Sequence, residues 1–111
     1  MPSPLPKTVA DYFAASNASD FLRLERCFAE NAVVRDEGRE HCGPKAIADW
    51  HAQTKRQFRY TTEVLDSRDH GDAVTVKTRV AGDFPGSPVE LDQLFRLSPA
   101  GITALEIKPC Q

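Results

Sequence analysis

The sequence predicts an α+β domain in which helices pack on one face of an antiparallel β-sheet. Helical spacing of apolar residues dominates residues 7–58, and the apolar period changes to two beyond Phe58. Turn signals then divide the remaining chain into short strands. The 111 residues suit a single domain, 1–111, and residues 1–6, with three prolines, are expected to form an extended lead-in.

A stripe of residues at helical spacing predicts a first helix that begins at about Lys7. The stripe consists of Val9, Tyr12, Phe13 and Ser16. Polar residues between Asn17 and Asp20 end this helix and cap a second one, predicted from about Ser19 to Ala29. The apolar stripe of the second helix consists of Phe21, Leu24, Cys27 and Phe28. Since no linker separates the two helices, they are expected to pack as a hairpin.

A short strand is predicted from Ala32 to Asp36, and strand alternation places Val34 and Asp36 on the same face. A polar loop, Glu37 to Cys42, follows it. A glycine–proline pair then starts a third helix over about residues 44–57, because proline is favoured at the first helical position. The stripe of this helix, which would cover a sheet, consists of Ile47, Trp50, Thr54 and Phe58.

The rest of the chain is predicted to be an antiparallel meander of four strands. The predicted strands span residues 59–68, 73–80, 89–97 and 102–108. The turns between them lie at residues 70–72, 82–88 and 98–101, each of which contains glycine. In the second strand the apolar face consists of Val74, Val76, Thr78 and Val80.

Composition and charge argue against several classes of protein. The net charge is −2 and the chain has no basic run, so it lacks the positive surface expected of a nucleic-acid-binding protein. Apolar runs are too short for a membrane span, and the proline-rich N-terminus does not resemble a signal peptide, so a cytoplasmic location is expected. The three cysteines lack metal-type spacing and are expected to be reduced thiols. No metal or cofactor is expected, since neither His41 beside Cys42 nor His70 has suitable partners.

Four segments resemble a known family. They are residues 12–20 (YFAASNASD), 28–36 (FAENAVVRD), 43–47 (GPKAI) and 95–101 (FRLSPAG). Together they resemble the ketosteroid isomerases and the wider SnoaL-like group, within the nuclear-transport-factor-2-like (cystatin-like) cone fold. The resemblance implies three N-terminal helices packed on a curved, mostly antiparallel sheet that encloses a pocket.

The resemblance also implies two catalytic residues. Tyr12 stands at the position of the tyrosine whose hydroxyl holds the dienolate oxygen in ketosteroid isomerases. Asp36 stands at the position of the aspartate that moves a proton between substrate carbons, and the 24-residue separation of the two (36 − 12) matches that family. The implied chemistry is proton abstraction next to a carbonyl group, as in the ketosteroid isomerases.

Further ligand-binding candidates are Gln93, His51, Trp50, Phe28 and Phe95. His51 stands where some relatives carry a tyrosine that hydrogen-bonds the oxyanion tyrosine. Gln93 replaces the acid that serves these enzymes as the second oxyanion donor, and it would donate an amide N–H instead. Asp92 is one residue away and therefore on the opposite face of the strand, unless a β-bulge intervenes.

Three functions are therefore kept open. The first is an isomerase, cyclase or dehydratase acting on a small hydrophobic carbonyl compound, with Asp36 as general base and Tyr12 as oxyanion donor. The second is a non-catalytic binder of a small apolar ligand, with the same pocket and no turnover. Apart from any such function, Tyr12 can be a core residue and Asp36 a turn residue. The third is an interaction module. A homodimer is expected through the sheet face away from the helices, whose charges include Lys77, Arg79, Arg96 and Glu106.

Overall fold

The computed structural model describes residues 5–110, so most of the lead-in predicted over residues 1–6 lies outside the described residues. The described chain forms three α-helices and six β-strands, which confirms the α+β class. In chain order they are α1 (Lys7–Ala18), α2 (Phe21–Arg26), β1 (Phe28–Asp36), β2 (Arg39–Cys42), α3 (Pro44–Gln57), β3 (Tyr60–Asp69), β4 (Ala73–Gly82), β5 (Val89–Ser98) and β6 (Gly101–Pro109).

The first two helices follow the predicted pattern, except that α2 is shorter. All four stripe residues of α1 are buried. Helix α2 begins after Asp20, whose carboxylate accepts a hydrogen bond from the backbone N–H of Arg23. The helix predicted to reach Ala29 ends at Arg26, because the chain turns into β1 at Phe28. The backbone carbonyl of Cys27 accepts a bond from Ile102 N–H at 2.9 Å, so pairing with β6 overrides the local helical pattern.

The segment predicted to be a polar loop contains strand β2. A two-residue turn joins it to β1, with φ of 53° at Glu37 and 77° at Gly38. Positive φ at both central residues is the geometry that matches the twist of a tight hairpin. Asp36 is consequently paired with Arg39 at the very end of β1, beside the turn.

The six strands form one mixed sheet in the order β2-β1-β6-β5-β4-β3. The predicted meander β3–β6 is confirmed, whereas β1 lies parallel to β6 and antiparallel to β2. Helix α3 follows β2, so only α1 and α2 precede all the strands, and the expectation of three N-terminal helices holds only for these two. Register shifts in β3 and between β5 and β6 add local bends, as β-bulges do.

The core lies between the helices and one face of this sheet. Its largest fully buried side chains include Phe95, Leu24, Ile47, Ile102 and Leu105. The elements of this core also position the candidate site, because α1, α3 and the ends of β1, β3 and β5 surround the same space. Within residues 5–110, no helix is both long and apolar enough to cross a membrane.

Candidate active site

A cavity of about 1180 Å³ lies between α1, α3 and the inner face of the sheet. The polar and aromatic side chains that line it include Tyr12, Asp36, Trp50, His51, Tyr60 and Gln93. These residues come from two helices and three strands, so the fold rather than local sequence brings them together. The volume is sufficient for a small organic ligand.

Five of the seven sequence-predicted site residues therefore line one cavity, and two do not. Phe28 and Phe95 are not among the lining residues; both are buried in the core. Their rings contact the ring of Tyr12 edge-to-face, with centroids 5.8 Å and 5.5 Å away. These contacts are of the favourable aromatic type and hold the Tyr12 ring in place. We correct the prediction accordingly: Phe28 and Phe95 pack against Tyr12 in the core and do not line the cavity.

The carboxylate of Asp36 is half-buried and has no hydrogen bond or ion pair with any residue of the described chain. Burial raises its pKa to about 6, and the neighbouring charge of Glu37 adds to the increase. At neutral pH the group is therefore ionised but is a stronger base than an exposed aspartate. These properties are those of a general base.

The hydroxyl of Tyr12 also has no hydrogen-bond partner among residues 5–110, although the residue is only 2% exposed. Burial raises its pKa above the ordinary tyrosine value, and the nearby charges of Tyr60 and Asp36 raise it further. The phenol is therefore protonated at every physiological pH. It offers the cavity a hydrogen-bond donor that the protein itself does not use.

His51 is held in place by a hydrogen bond with Ser16. The Ser16 Oγ and His51 Nε2 atoms are 2.7 Å apart, and both side chains are buried. Ser16 has no other acceptor within the described chain; hence the arrangement with fewest unsatisfied groups has its hydroxyl donating to Nε2. The ring proton then sits on Nδ1, which has no partner among the described residues. Burial, followed by the charge of Lys55, lowers the pKa of His51 to about 4, so the ring is neutral.

The structure places Gln93, and not Asp92, in the cavity wall. Gln93 is 4% exposed, whereas Asp92 points to the other face of β5 and accepts a hydrogen bond from the Cys110 thiol at 3.3 Å. The Gln93 Nε2 group donates to Thr78 Oγ1 at 3.2 Å, and its Oε1 has no partner within residues 5–110. The strand register thus follows simple alternation here, without the bulge that would have turned Asp92 inward.

Tyr60 and His41 are among the cavity residues that sequence reasoning missed. Tyr60 begins β3, and burial followed by the charge of Asp36 raises its pKa to about 12. Alternation with the buried Thr62 on the same strand is the signal that could have identified it. His41 stacks on Trp50 with ring centroids 5.0 Å apart, and it was missed because β2 was interpreted as a loop.

Comparisons with known proteins agree with this architecture. Residues 9–102 match the SnoaL-like domain. Among solved structures, a Sinorhizobium meliloti protein described as a "putative polyketide cyclase" is 41% identical, with 94% of this chain and 95% of that chain covered and a TM-score of 0.91. The comparison with curated proteins gives no match.

More distant structures share the fold alone. A Catenulispora acidiphila hypothetical protein with a ketosteroid isomerase-like fold, solved with trimethylamine, is 23% identical, covers 94% of this chain and 85% of its own, and has a TM-score of 0.84. An M. tuberculosis LEH-like epoxide hydrolase is 15% identical, with 91% and 78% covered and a TM-score of 0.77. The family match over most of the length and the 41% identical structure confirm the resemblance found in the sequence: the chain belongs to the SnoaL-like domain family.

Proposed function

We propose that this protein is an enzyme that abstracts a proton next to the carbonyl group of a small hydrophobic substrate. Asp36 is the general base and Tyr12 the donor to the carbonyl oxygen. The observation that carries the proposal is the pairing, in one cavity, of an unpartnered carboxylate whose pKa is about 6 with an unpartnered, protonated phenol. The similarity to the Sinorhizobium meliloti protein supports the same class of chemistry.

The reaction balances without a cofactor. Asp36 takes the α-proton, the carbon–hydrogen electron pair becomes the enolate, and the negative charge develops on the carbonyl oxygen. The Tyr12 hydroxyl donates to that oxygen. Protonated Asp36 then returns its proton to another carbon, which is isomerisation. Alternatively, the enolate carbon attacks a second carbonyl of the substrate and protonated Asp36 gives its proton to the alkoxide that forms, which is cyclisation. Loss of the resulting hydroxyl as water gives dehydration.

The arrangement favours the transition state over the bound ketone. The donor is held by the fold before the substrate arrives, because the rings of Phe28 and Phe95 pack against the ring of Tyr12. Donors that need no reorganisation stabilise the enolate more than the ketone, because its oxygen carries more charge.

The direct test is hydrogen–deuterium exchange at the α-carbons of simple ketones, followed by proton NMR in D₂O. Suitable probes are acetophenone and the two tetralone isomers, because enolisation alone exchanges their protons. We expect exchange that is proportional to protein concentration and absent with heat-denatured protein. Ketones that bind, as shown by calorimetry, but exchange only at the buffer rate would contradict the enzyme and favour the non-catalytic binder.

A second candidate role, as a homodimer, is favoured by the sheet face away from the helices. A depression of about 520 Å³ on this face combines apolar and charged side chains, among them Val33, Arg35, Leu94, Arg96, Ala104 and Glu106. A two-fold contact between copies can pair opposite charges on such a surface, since each copy presents both signs. Light scattering is expected to give twice the chain mass, and Ala104→Arg to give the monomer mass. A monomeric wild-type protein at high concentration would exclude this assembly.

A further inference from the structure

The β1–β2 hairpin carries two pairs of opposite charges, one on each face of the sheet. Arg35 lies directly across from Glu40, and Asp36 lies directly across from Arg39. On the outer face, Arg35 Nε and a Glu40 carboxylate oxygen form an ion pair at 2.6 Å. On the inner face no ion pair joins the described residues Asp36 and Arg39, although side chains directly opposite in an antiparallel ladder are close enough to interact. The guanidinium of Arg39 is therefore turned away from its cross-strand carboxylate.

Arg39 lies at the rim of the cavity, beside the stacked rings of His41 and Trp50. All three residues line the cavity, and Arg39 is exposed, so a ligand can reach its side chain. Burial lowers the pKa of His41, and the charge of Arg39 lowers it further. The pKa of Asp36 is raised, whereas a guanidinium in contact with that carboxylate would lower it. Both directions agree with an Arg39 side chain that extends toward the ring stack and not toward the base.

The positive charge of Arg39 has no counter-charge in the described part of the protein. Among the described residues, Arg39 and Lys108 are the arginine and lysine residues that line the cavity. Lys108 forms an ion pair with Glu106 at 3.0 Å, whereas the guanidinium of Arg39 makes no ion pair or hydrogen bond within residues 5–110. A free guanidinium binds a carboxylate through two parallel N–H···O bonds. The rim of the cavity thus offers a binding group for an anion.

We propose that Arg39 is a specificity residue that binds a carboxylate on the substrate, so that the substrate is a keto acid whose carbonyl group lies between Tyr12 and Asp36. A single negative charge suits this rim better than a phosphate dianion, because Asp36 and Glu37 also line the cavity and repel each added charge. A carboxylate held at the rim also fixes how the rest of the ligand enters the cavity. This inference rests on the proposed carbonyl-binding cavity, but it concerns binding and not turnover.

The test is a double-mutant cycle between ligand and protein, measured by calorimetry at neutral pH. The probes are the meta and para isomers of acetylbenzoate and of the longer acetylphenylacetate, each compared with its neutral primary amide. With wild-type protein at least one acid is expected to bind roughly threefold to tenfold more tightly than its amide, the range between an exposed ion pair and a bidentate one. In Arg39→Gln the preference is expected to disappear or to reverse, because only the repelling carboxylates remain.

Arg35→Gln is the matched control, since it removes the same charge from the same hairpin. Arg35 lies on the outer face, paired with Glu40, and does not line the cavity, so the preference for the acid is expected to persist. The inference would be overturned if no acid bound wild-type protein more tightly than its amide, if Arg39→Gln kept the preference, or if Arg35→Gln lost it equally. A preference for the acid without catalysed proton exchange would contradict only the proposed catalysis. Exchange of acetophenone without such a preference would contradict only the role of Arg39.

Discussion

The Asp36→Asn variant is expected to lose catalysed ketone exchange by a factor of about 10² to 10⁴, the contribution of a positioned general base. The amide has nearly the shape of the carboxylate but cannot accept the α-proton. Because the Asp36 side chain makes no hydrogen bond or ion pair within the described chain, the change removes no interaction that holds the fold. Proton NMR of α-deuteration, with equal concentrations of both proteins, measures the loss.

The same variant is expected to be as stable as the wild type, or more stable, above about pH 6. The pKa of Asp36 is higher in the folded protein than in the unfolded chain, so the protonated carboxyl group favours the folded state. This contribution to stability is fully present below the unfolded-state pKa. The wild-type protein loses this contribution as the pH rises through the folded-state pKa. The Asp36→Asn variant does not, because asparagine does not ionise. The gain is on the order of 1 kcal/mol after allowance for the exposed part of the side chain. Urea unfolding on each side of that pH range measures it.

Glu37→Gln is the matched control, since Glu37 is adjacent to Asp36, exposed, and one of the cavity-lining residues. Its charge contributes only the smaller part of the Asp36 pKa shift, so the exchange rate is expected to remain within severalfold of the wild type. If Asp36→Asn kept more than a tenth of the wild-type rate, or if Glu37→Gln lost as much activity, Asp36 would not be the base.

The Tyr12→Phe variant is expected to lose exchange activity by a factor of about 10² to 10³, the usual effect of removing one oxyanion donor. The aromatic ring stays, so the edge-to-face contacts with Phe28 and Phe95 are preserved. The lost hydroxyl has no partner among residues 5–110, and the free energy of unfolding is therefore expected to change little. Comparison of kcat and KM is informative, because a donor to the developing enolate affects kcat more than KM.

Tyr60→Phe is the control for Tyr12→Phe. Both hydroxyls are in the cavity wall, but Tyr60 is half-buried at the start of β3, with Lys55 Nζ 3.9 Å from its ring centroid. The loss on Tyr60→Phe is expected to be clearly smaller. An equal or larger loss would transfer the donor role to Tyr60, and a wild-type rate for Tyr12→Phe would show that Tyr12 is not the oxyanion donor.

Local patterns in the sequence were sufficient for the meander and for α3. Period-two alternation gave the strands β3 to β6, since each of them has one buried face. Burial of the α1 stripe and of Val34 put the Tyr12 and Asp36 side chains on inner surfaces. The family resemblance supplied the pairing of these two residues, which spacing alone does not establish.

The features that were missed depend on contacts between distant parts of the chain. Phe28 continues a helical stripe in sequence, but the bond from Ile102 to Cys27 makes it the first residue of a strand. The parallel pairing of β1 with β6 has no local signal at all. The hydrogen bonds that link Gln93, the Thr78 hydroxyl and the Leu91 carbonyl depend on the register of β4 against β5, which has no local signal in the sequence.

The pH dependence of ketone exchange tests the central assignment most directly. The value of kcat/KM is expected to rise about tenfold per unit below pH 6, where Asp36 is protonated, and to level off above it. His51, whose pKa is lowered to about 4, and Tyr12, whose pKa is raised, predict no further change up to about pH 9. A single ionisation near pH 6 that disappears in Asp36→Asn is the predicted result. A profile that is flat through this range, or the same ionisation in Asp36→Asn, would contradict the account.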